Sequence, residues 1–235
     1  MDKRIIVALD FPTLGEASRM SALLGDRFGY KVGMQLNAAA GTPVVLDAVG
    51  AGKTFLDLKF KDIPNTVAGA VEAVAQQGVW MMNLYIDGGE KMMEAAVKAR
   101  DKVFLRTGHR SLLLGVTMLT SLDENALVEL GIYREKMTLK EIVVQLAKIA
   151  DQAGLDGAVC SPQEIEAVRR AVPHDHFKIV APGIRGKDAL ADDQKRTMPA
   201  REAIELGATH LVIGRPITAS PDPAGALENF LREIS

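Results

Sequence analysis

Short apolar, β-branched runs alternate along the chain with amphipathic stretches of about ten residues or more, the pattern of repeated strand–helix units around a parallel sheet. The runs "RIIVAL" (4–9), "YKVGM" (30–34), "TFLDLKF" (54–60), "VWMMNLYI" (79–86), "LLLGVTML" (112–119), "GAVC" (157–160), "FKIVAP" (177–182) and "HLVIG" (210–214) predict eight strands. Helical periodicity falls between them at 14–25, 42–50, 64–77, 89–100, 123–130, 138–153, 162–171, 200–206 and 223–233. Ser161-Pro162 followed by Gln163 and Glu164, and Asp222 before Pro223, are sensible helix starts. No Pro/Gly/Ser-rich linker divides the chain, so residues 1–235 are expected to form one domain, most simply an α/β (β/α)₈ TIM barrel. A doubly wound open sheet stays open as an alternative, because periodicity alone does not show closure.

One strand carries charge where a buried strand should not. In "FLDLKFKDIPNTV" (55–67), alternation puts Phe55, Asp57 and Lys59 on one face and Leu56, Leu58 and Phe60 on the other. A solvated salt bridge would need that polar face exposed. In a barrel, helices cover the outer face and the inner face points at the lumen, whose C-terminal mouth is where catalytic groups sit.

Other strand ends repeat the pattern. Asp10 follows the first run, Lys31 lies in the second, Thr120 and Ser121 follow the fifth, and Gly214-Arg215 follows the eighth. Taken singly, Asp10 reads equally as a helix cap and Arg215 as a solvated charge; their joint placement points to one site. The long polar segment "APGIRGKDALADDQKRTMP" has the length of a binding loop or lid. With it, the backbone N–H groups around Gly214 and the fork of Arg215 make a phosphate site where barrels often place one.

Composition narrows the function. A net charge of −2 with scattered basic residues gives no support to a nucleic-acid surface. The apolar runs are far too short to span a bilayer, and "MDKRIIVALD" has no signal-peptide pattern, so a cytoplasmic location is expected. Cys160, the single cysteine, excludes an intramolecular disulfide and reads as a small core residue. Metal is not expected. Lys31 and Lys59 would repel a divalent cation from Asp10, Asp57 and Asp62, and His109, His174, His176 and His210 show no zinc-like spacing with other ligands, His174 and His176 falling in an exposed turn.

The segment "DLKFKDIPNT" closely resembles the Asp-x-Lys-x-x-Asp-Ile-Pro-Asn-Thr motif of the orotidine 5′-monophosphate decarboxylase family. The similarity runs the length of the chain, through "VALD", "KVG", "VTMLTS", "GLDGAVCS", "PGIR", "DQKR" and "VIGRPIT". The resemblance implies decarboxylation of orotidine 5′-monophosphate to UMP without a cofactor. It implies that Lys31, Asp57, Lys59 and Asp62 form an alternating charge network, with Asp62 and Thr66 supplied across a homodimer interface. By the same resemblance Asp10 and Thr66 contact ribose, Thr120 the pyrimidine, and Gln194 and Arg215 the phosphate; Pro182, Gly183, Arg185 and Gly214 join the substrate-binding set. Two positions depart: Lys61 and Tyr85 stand where many bacterial members have His. A magnesium-dependent sugar-phosphate lyase of a related barrel and a non-catalytic nucleotide-binding relative are the competing readings.

Overall fold

The computed structural model describes residues 4–129, 131, 137–185 and 197–235. Among them, β1 (Ile5–Ala8), β2 (Gly29–Gly33), β3 (Thr54–Phe60), β4 (Met81–Tyr85), β5 (Leu112–Val116), β6 (Gly157–Val159), β7 (Lys178–Pro182) and β8 (His210–Ile213) run parallel, each pairing with the next. β8 returns to pair with β1, in register Ile5 to Leu211 and Val7 to Ile213, and the sheet closes. Closure removes the open-sheet alternative.

Parity along each strand separates two apolar layers. Ile6, Ala8, Phe55, Met81, Leu114, Val180 and Val212 pack inside the barrel. Their neighbours Ile5, Val7, Leu56, Met82, Leu84 and Leu113 pack outward against the helices. Each buried aliphatic side chain stabilises the fold by about 1.5–3 kcal/mol, and a one-residue slip would exchange the two faces. The register that buries Leu56 outside is therefore the one that turns Asp57 inward.

The N-terminal end of the barrel is sealed by Trp80, which packs on the inner layer and lies 5.7 Å, centroid to centroid, from the ring of His210. Gly29 makes this possible: a Cβ there would lie 2.3 Å from the Trp80 ring. At the same end Arg100, almost wholly buried, pairs with Asp156, whose carboxylate also takes Arg110 at 2.6 Å and the backbone N–H of Leu113 at 2.8 Å. Every charge of that buried cluster has a partner, as burial requires.

Several boundaries differ from the sequence reading. Met34–Ala40 is helical between Gly33 and Gly41, an element too short to show a periodicity of its own. The helix expected at 89–100 runs from Glu90 to Thr107 and stops at Gly108, whose φ of 72° is the left-handed cap glycine tolerates. Arg100 sits in its buried stripe with Ala96, Ala99 and Val103, and a charge there hid the continuation. β5 ends at Val116 rather than 119, freeing Met118–Thr120 for the mouth. Arg215, which follows the eighth strand, begins a short helix, Arg215–Thr218.

Candidate active site

The strand ends converge on one cavity of about 490 Å³ at the C-terminal mouth, a size suited to a small ligand. Asp10, Lys31, Asp57, Lys59, Thr120, Pro182, Gly183, Arg185, Gly214 and Arg215 all line it. Apolar walls come from Phe55, Val116, Met118, Leu119, Val159 and Ile184, with Cys160 beside them. Cys160 is buried as expected, at a place where it also faces the cavity.

Four of the charges form a chain. Lys31 Nζ donates to Asp10 Oδ1 at 2.8 Å and lies 3.4 Å from Asp57 Oδ2, while Lys59 Nζ donates to Asp57 Oδ1 at 2.7 Å. Burial pushes the Asp57 carboxyl up, but the Lys31 and Lys59 ammoniums and the hydrogen bonds from Lys59 and Asn83 prevail and hold it below the usual carboxylate range. Burial works against the charge on Lys31 as well; the carboxylates of Asp57 and Asp10 overcome it and raise its pKa above the ordinary lysine value. Both groups are thus held ionised.

A strained backbone presents Lys59. Among the described residues it is the one non-glycine in the left-handed region, at φ 54°. The β3–β4 ladder breaks there: Leu56 faces Met82 and Phe60 faces Leu84, so four steps along β3 span two along β4. Left-handed geometry costs a side-chain-bearing residue roughly 1–2 kcal/mol, and the break leaves the Lys59 N–H without a ladder acceptor. Asn83 supplies one. Its Oδ1 accepts from Lys59 N at 2.8 Å while its Nδ2 donates to Asp57 Oδ1 at 2.7 Å, and the residue is fully buried. Asn83 was absent from the sequence-based site, although alternation from Met81 through Asn83 to Tyr85 placed a polar side chain on the inner face of β4.

Asp62 and Thr66 stand apart. Neither lines the cavity; both are exposed, with Asp62 Oδ1 accepting from Ile63 N at 2.6 Å and Ile63 itself 67% exposed. Gln194 lies outside the described residues. The base of its segment is tied by a bridge between Ile184 and Met198, with Arg185 N donating to Met198 O at 3.1 Å.

The two unusual positions pair with each other. Lys61 Nζ donates to Asp87 Oδ2 at 2.7 Å and sits 5.6 Å from the centre of the Tyr85 ring. Burial, then the carboxylates of Asp87 and Asp57, raise the Tyr85 phenol above its ordinary pKa against the opposing pull of Lys61. Tyr85 therefore stays a neutral phenol at the rim. The histidines need one correction: the turn carrying His174 and His176 is exposed as expected, but the fold brings Asp151 beside both, a juxtaposition that linear spacing does not reveal.

A closed parallel barrel whose mouth holds, among the described residues, an alternating carboxylate–ammonium chain beside Arg185 and Arg215 defines an enzyme of the (β/α)₈ barrel class. The chain belongs to the orotidine 5′-phosphate decarboxylase / HUMPS family, whose model matches residues 3–230. It is 46% identical to proteins named orotidine 5′-phosphate decarboxylase from Chromohalobacter salexigens, over 100% of this chain and 97% of that one, and from Coxiella burnetii, over 99% and 97%. Among solved structures it is similar to orotidine 5′-phosphate decarboxylase from Lactobacillus acidophilus, with TM-score 0.85, 33% identity and both chains covered in full. An uncharacterized conserved protein from Geobacillus kaustophilus matches with TM-score 0.83 and 32% identity, over 98% of this chain and 100% of that one.

Proposed function

We propose that the chain decarboxylates orotidine 5′-monophosphate to UMP, the last step of de novo pyrimidine nucleotide synthesis, by electrostatic stabilisation of a C6 carbanion. The observation that carries this reading is the chain Asp10–Lys31–Asp57–Lys59, in which Lys59 Nζ is fixed at 2.7 Å from Asp57 at the cavity wall. When the bond from C6 to the carboxylate carbon breaks, the electron pair stays on C6 in an orbital that cannot delocalise into the ring. A preorganised ammonium is then the stabiliser available, and the Lys59 ammonium next gives C6 the proton that replaces CO₂. Solvent returns a proton to the amine.

Charge supports the same substrate. Among the described residues the cavity is lined by four cations, Lys31, Lys59, Arg185 and Arg215, against two carboxylates, Asp10 and Asp57, which suits a ligand bearing a phosphate and a carboxylate. Arg215 and the backbone near Gly214 grip the phosphate, with Gly183 and Arg185 at the end of the neighbouring strand β7; Thr120 contacts the pyrimidine and Asp10 the ribose. Phosphate binding supplies energy for ordering the site around the reacting end.

The reaction needs no cofactor in this reading. Both oxygens of Asp57 are engaged by ammoniums, and Asn83 also binds Oδ1, so a magnesium ion would have to displace them. The working unit is a homodimer of 1–235 barrels in which Asp62 and Thr66, exposed on one protomer, complete the cavity of its partner. Exposed Ile63 and Met34, 67% and 59% accessible, offer apolar surface for that contact. Among the described residues no helix is long and apolar enough to cross a membrane, and the location proposed is the cytoplasm.

The test is incubation of the purified protein with orotidine 5′-monophosphate in EDTA, following loss of orotate absorbance. Undiminished turnover is expected. Activity that EDTA abolishes and magnesium restores would point instead to the sugar-phosphate lyase chemistry of related barrels, and UMP binding without turnover to a non-catalytic relative. Lys59→Ala should cost about 4 kcal/mol or more of transition-state stabilisation while UMP binding changes far less.

A further inference from the structure

A second cluster of ligating side chains lies at the opposite end of the barrel from the mouth. Asp151 is in the last turn of the helix Leu139–Gln152, and His174 and His176 are in the connection between the helix Ile165–Ala171 and β7. Each offers one ligand atom, and the three atoms lie within 4.8 Å of one another.

The backbone beneath the histidines is pinned. The His174 carbonyl accepts from Phe177 N at 3.0 Å and from Arg169 Nη1 at 3.2 Å, and Phe177 is fully buried in the core. Arg169 also donates to the carbonyls of Phe177 and Gly207. This guanidinium is therefore occupied by main-chain oxygens, and the two imidazoles project from a fixed turn. They stack at 5.2 Å between centroids, 13° from parallel.

A hydrogen bond explains only half of the arrangement. His174 Nδ1 is 3.1 Å from Asp151 Oδ2, an ordinary contact for a histidine and a carboxylate. His176 Nε2 is 3.8 Å from Asp151 Oδ1, too far for one, yet it faces the same carboxylate. In tetrahedral zinc coordination, with metal–ligand bonds of about 2.0–2.1 Å, two ligand atoms stand roughly 3.3 Å apart. His174 Nδ1 and His176 Nε2 stand 3.2 and 3.8 Å from one and the same oxygen, Asp151 Oδ1, on either side of that separation, and all three ligand atoms fall within 4.8 Å of one another, so small side-chain rotations close the shell. The rings are accessible, 53% and 72% exposed, while the carboxylate is largely covered at 17%. An ion can enter from solvent and meet a ligand already held in place.

We propose that Asp151, His174 and His176 bind a divalent transition-metal ion, with water completing the coordination. Two imidazole nitrogens and one carboxylate select zinc, nickel or copper over magnesium or calcium, which need oxygen-rich shells. The bound ion ties the helix Leu139–Gln152 to the start of β7 and stabilises the folded state by mass action. It takes no part in chemistry at the mouth.

The test is isothermal titration of the intact protein with zinc chloride, repeated on the His174→Gln/His176→Gln variant. Wild type should give a saturable isotherm with one ion per chain and a raised Tm. The double variant should keep its metal-free Tm and its activity, lose the zinc-induced shift, and bind at least tenfold more weakly; Asp151→Asn should also bind more weakly. Magnesium at the same concentrations should leave Tm unchanged. The absence of a saturable isotherm in wild type, or equal zinc affinity in wild type and the double variant, would overturn the proposal.

Discussion

The side-chain oxygen of Asn83 accepts the backbone N–H of Lys59 at 2.8 Å, at the point where the β3–β4 ladder breaks and Lys59 turns to a φ of 54°. The same amide donates to Asp57 Oδ1, so one buried side chain fixes both the backbone of the lysine and the carboxylate that orients its ammonium. A residue absent from the cavity lining can thus govern where the charge lies.

Asn83→Ala should therefore lower kcat with little effect on UMP affinity. Losing hydrogen bonds to a charged group and to a buried N–H costs about 1.5–3 kcal/mol, which corresponds to roughly ten- to a hundredfold in rate. Steady-state kinetics beside UMP titration checks it. A loss in KM alone would mean that Asn83 shapes the pocket rather than positions Lys59.

Arg215 lies on the wall of the cavity beside Gly214. As a phosphate clamp it acts through the 5′-phosphate, so Arg215→Ala should reduce kcat/KM for orotidine 5′-monophosphate far more than for the phosphate-free nucleoside. Parallel assays on the two substrates measure this; equal losses would assign Arg215 another role.

Asp62 is exposed on its own protomer and absent from its own cavity lining. If it completes the partner's site, mixing inactive Lys59→Ala and Asp62→Ala dimers should restore activity, because each mixed dimer has one site with both lesions and one with neither. Random exchange makes about half the dimers mixed, so recovery should approach roughly a quarter of wild-type specific activity. Mixtures that exchange subunits yet stay inactive would place both residues in one site.

The charge chain also sets a pH dependence of stability. The Asp57 pKa is depressed in the folded protein, so its contribution is present above the ordinary carboxylate pKa and lost as pH falls through the lower folded value. The Lys31 pKa is raised, so its contribution is full below the ordinary lysine pKa and lost as pH rises through the higher folded value. Urea midpoints across pH should show the stability gap between wild type and Lys31→Met narrowing on the alkaline side. A gap that stays constant there would contradict the coupling of Lys31 to Asp57 and Asp10.

The order of eight strands, the inward face of β3 and most of the mouth were legible in the sequence because they follow from local rules. Period-two alternation fixes which side of β3 carries Asp57, and burial of Leu56 and its outward neighbours enforces that register. Strand ends are legible for the same reason, and so Asp10, Lys31, Thr120 and Arg215 could be assigned to one cavity before its walls were known. Closure, the ladder break and contacts between distant segments are different in kind. Whether β8 meets β1 depends on the summed twist and tilt of all the strands, which no single window of sequence contains. The left-handed turn at Lys59 leaves an N–H whose acceptor, Asn83, arrives from 24 residues on. Asp151 meets His174 and His176 only once a helix and a turn from different strand–helix units pack at the same rim. Local periodicity reports the environment of a residue; which distant side chain shares that environment is decided by packing alone.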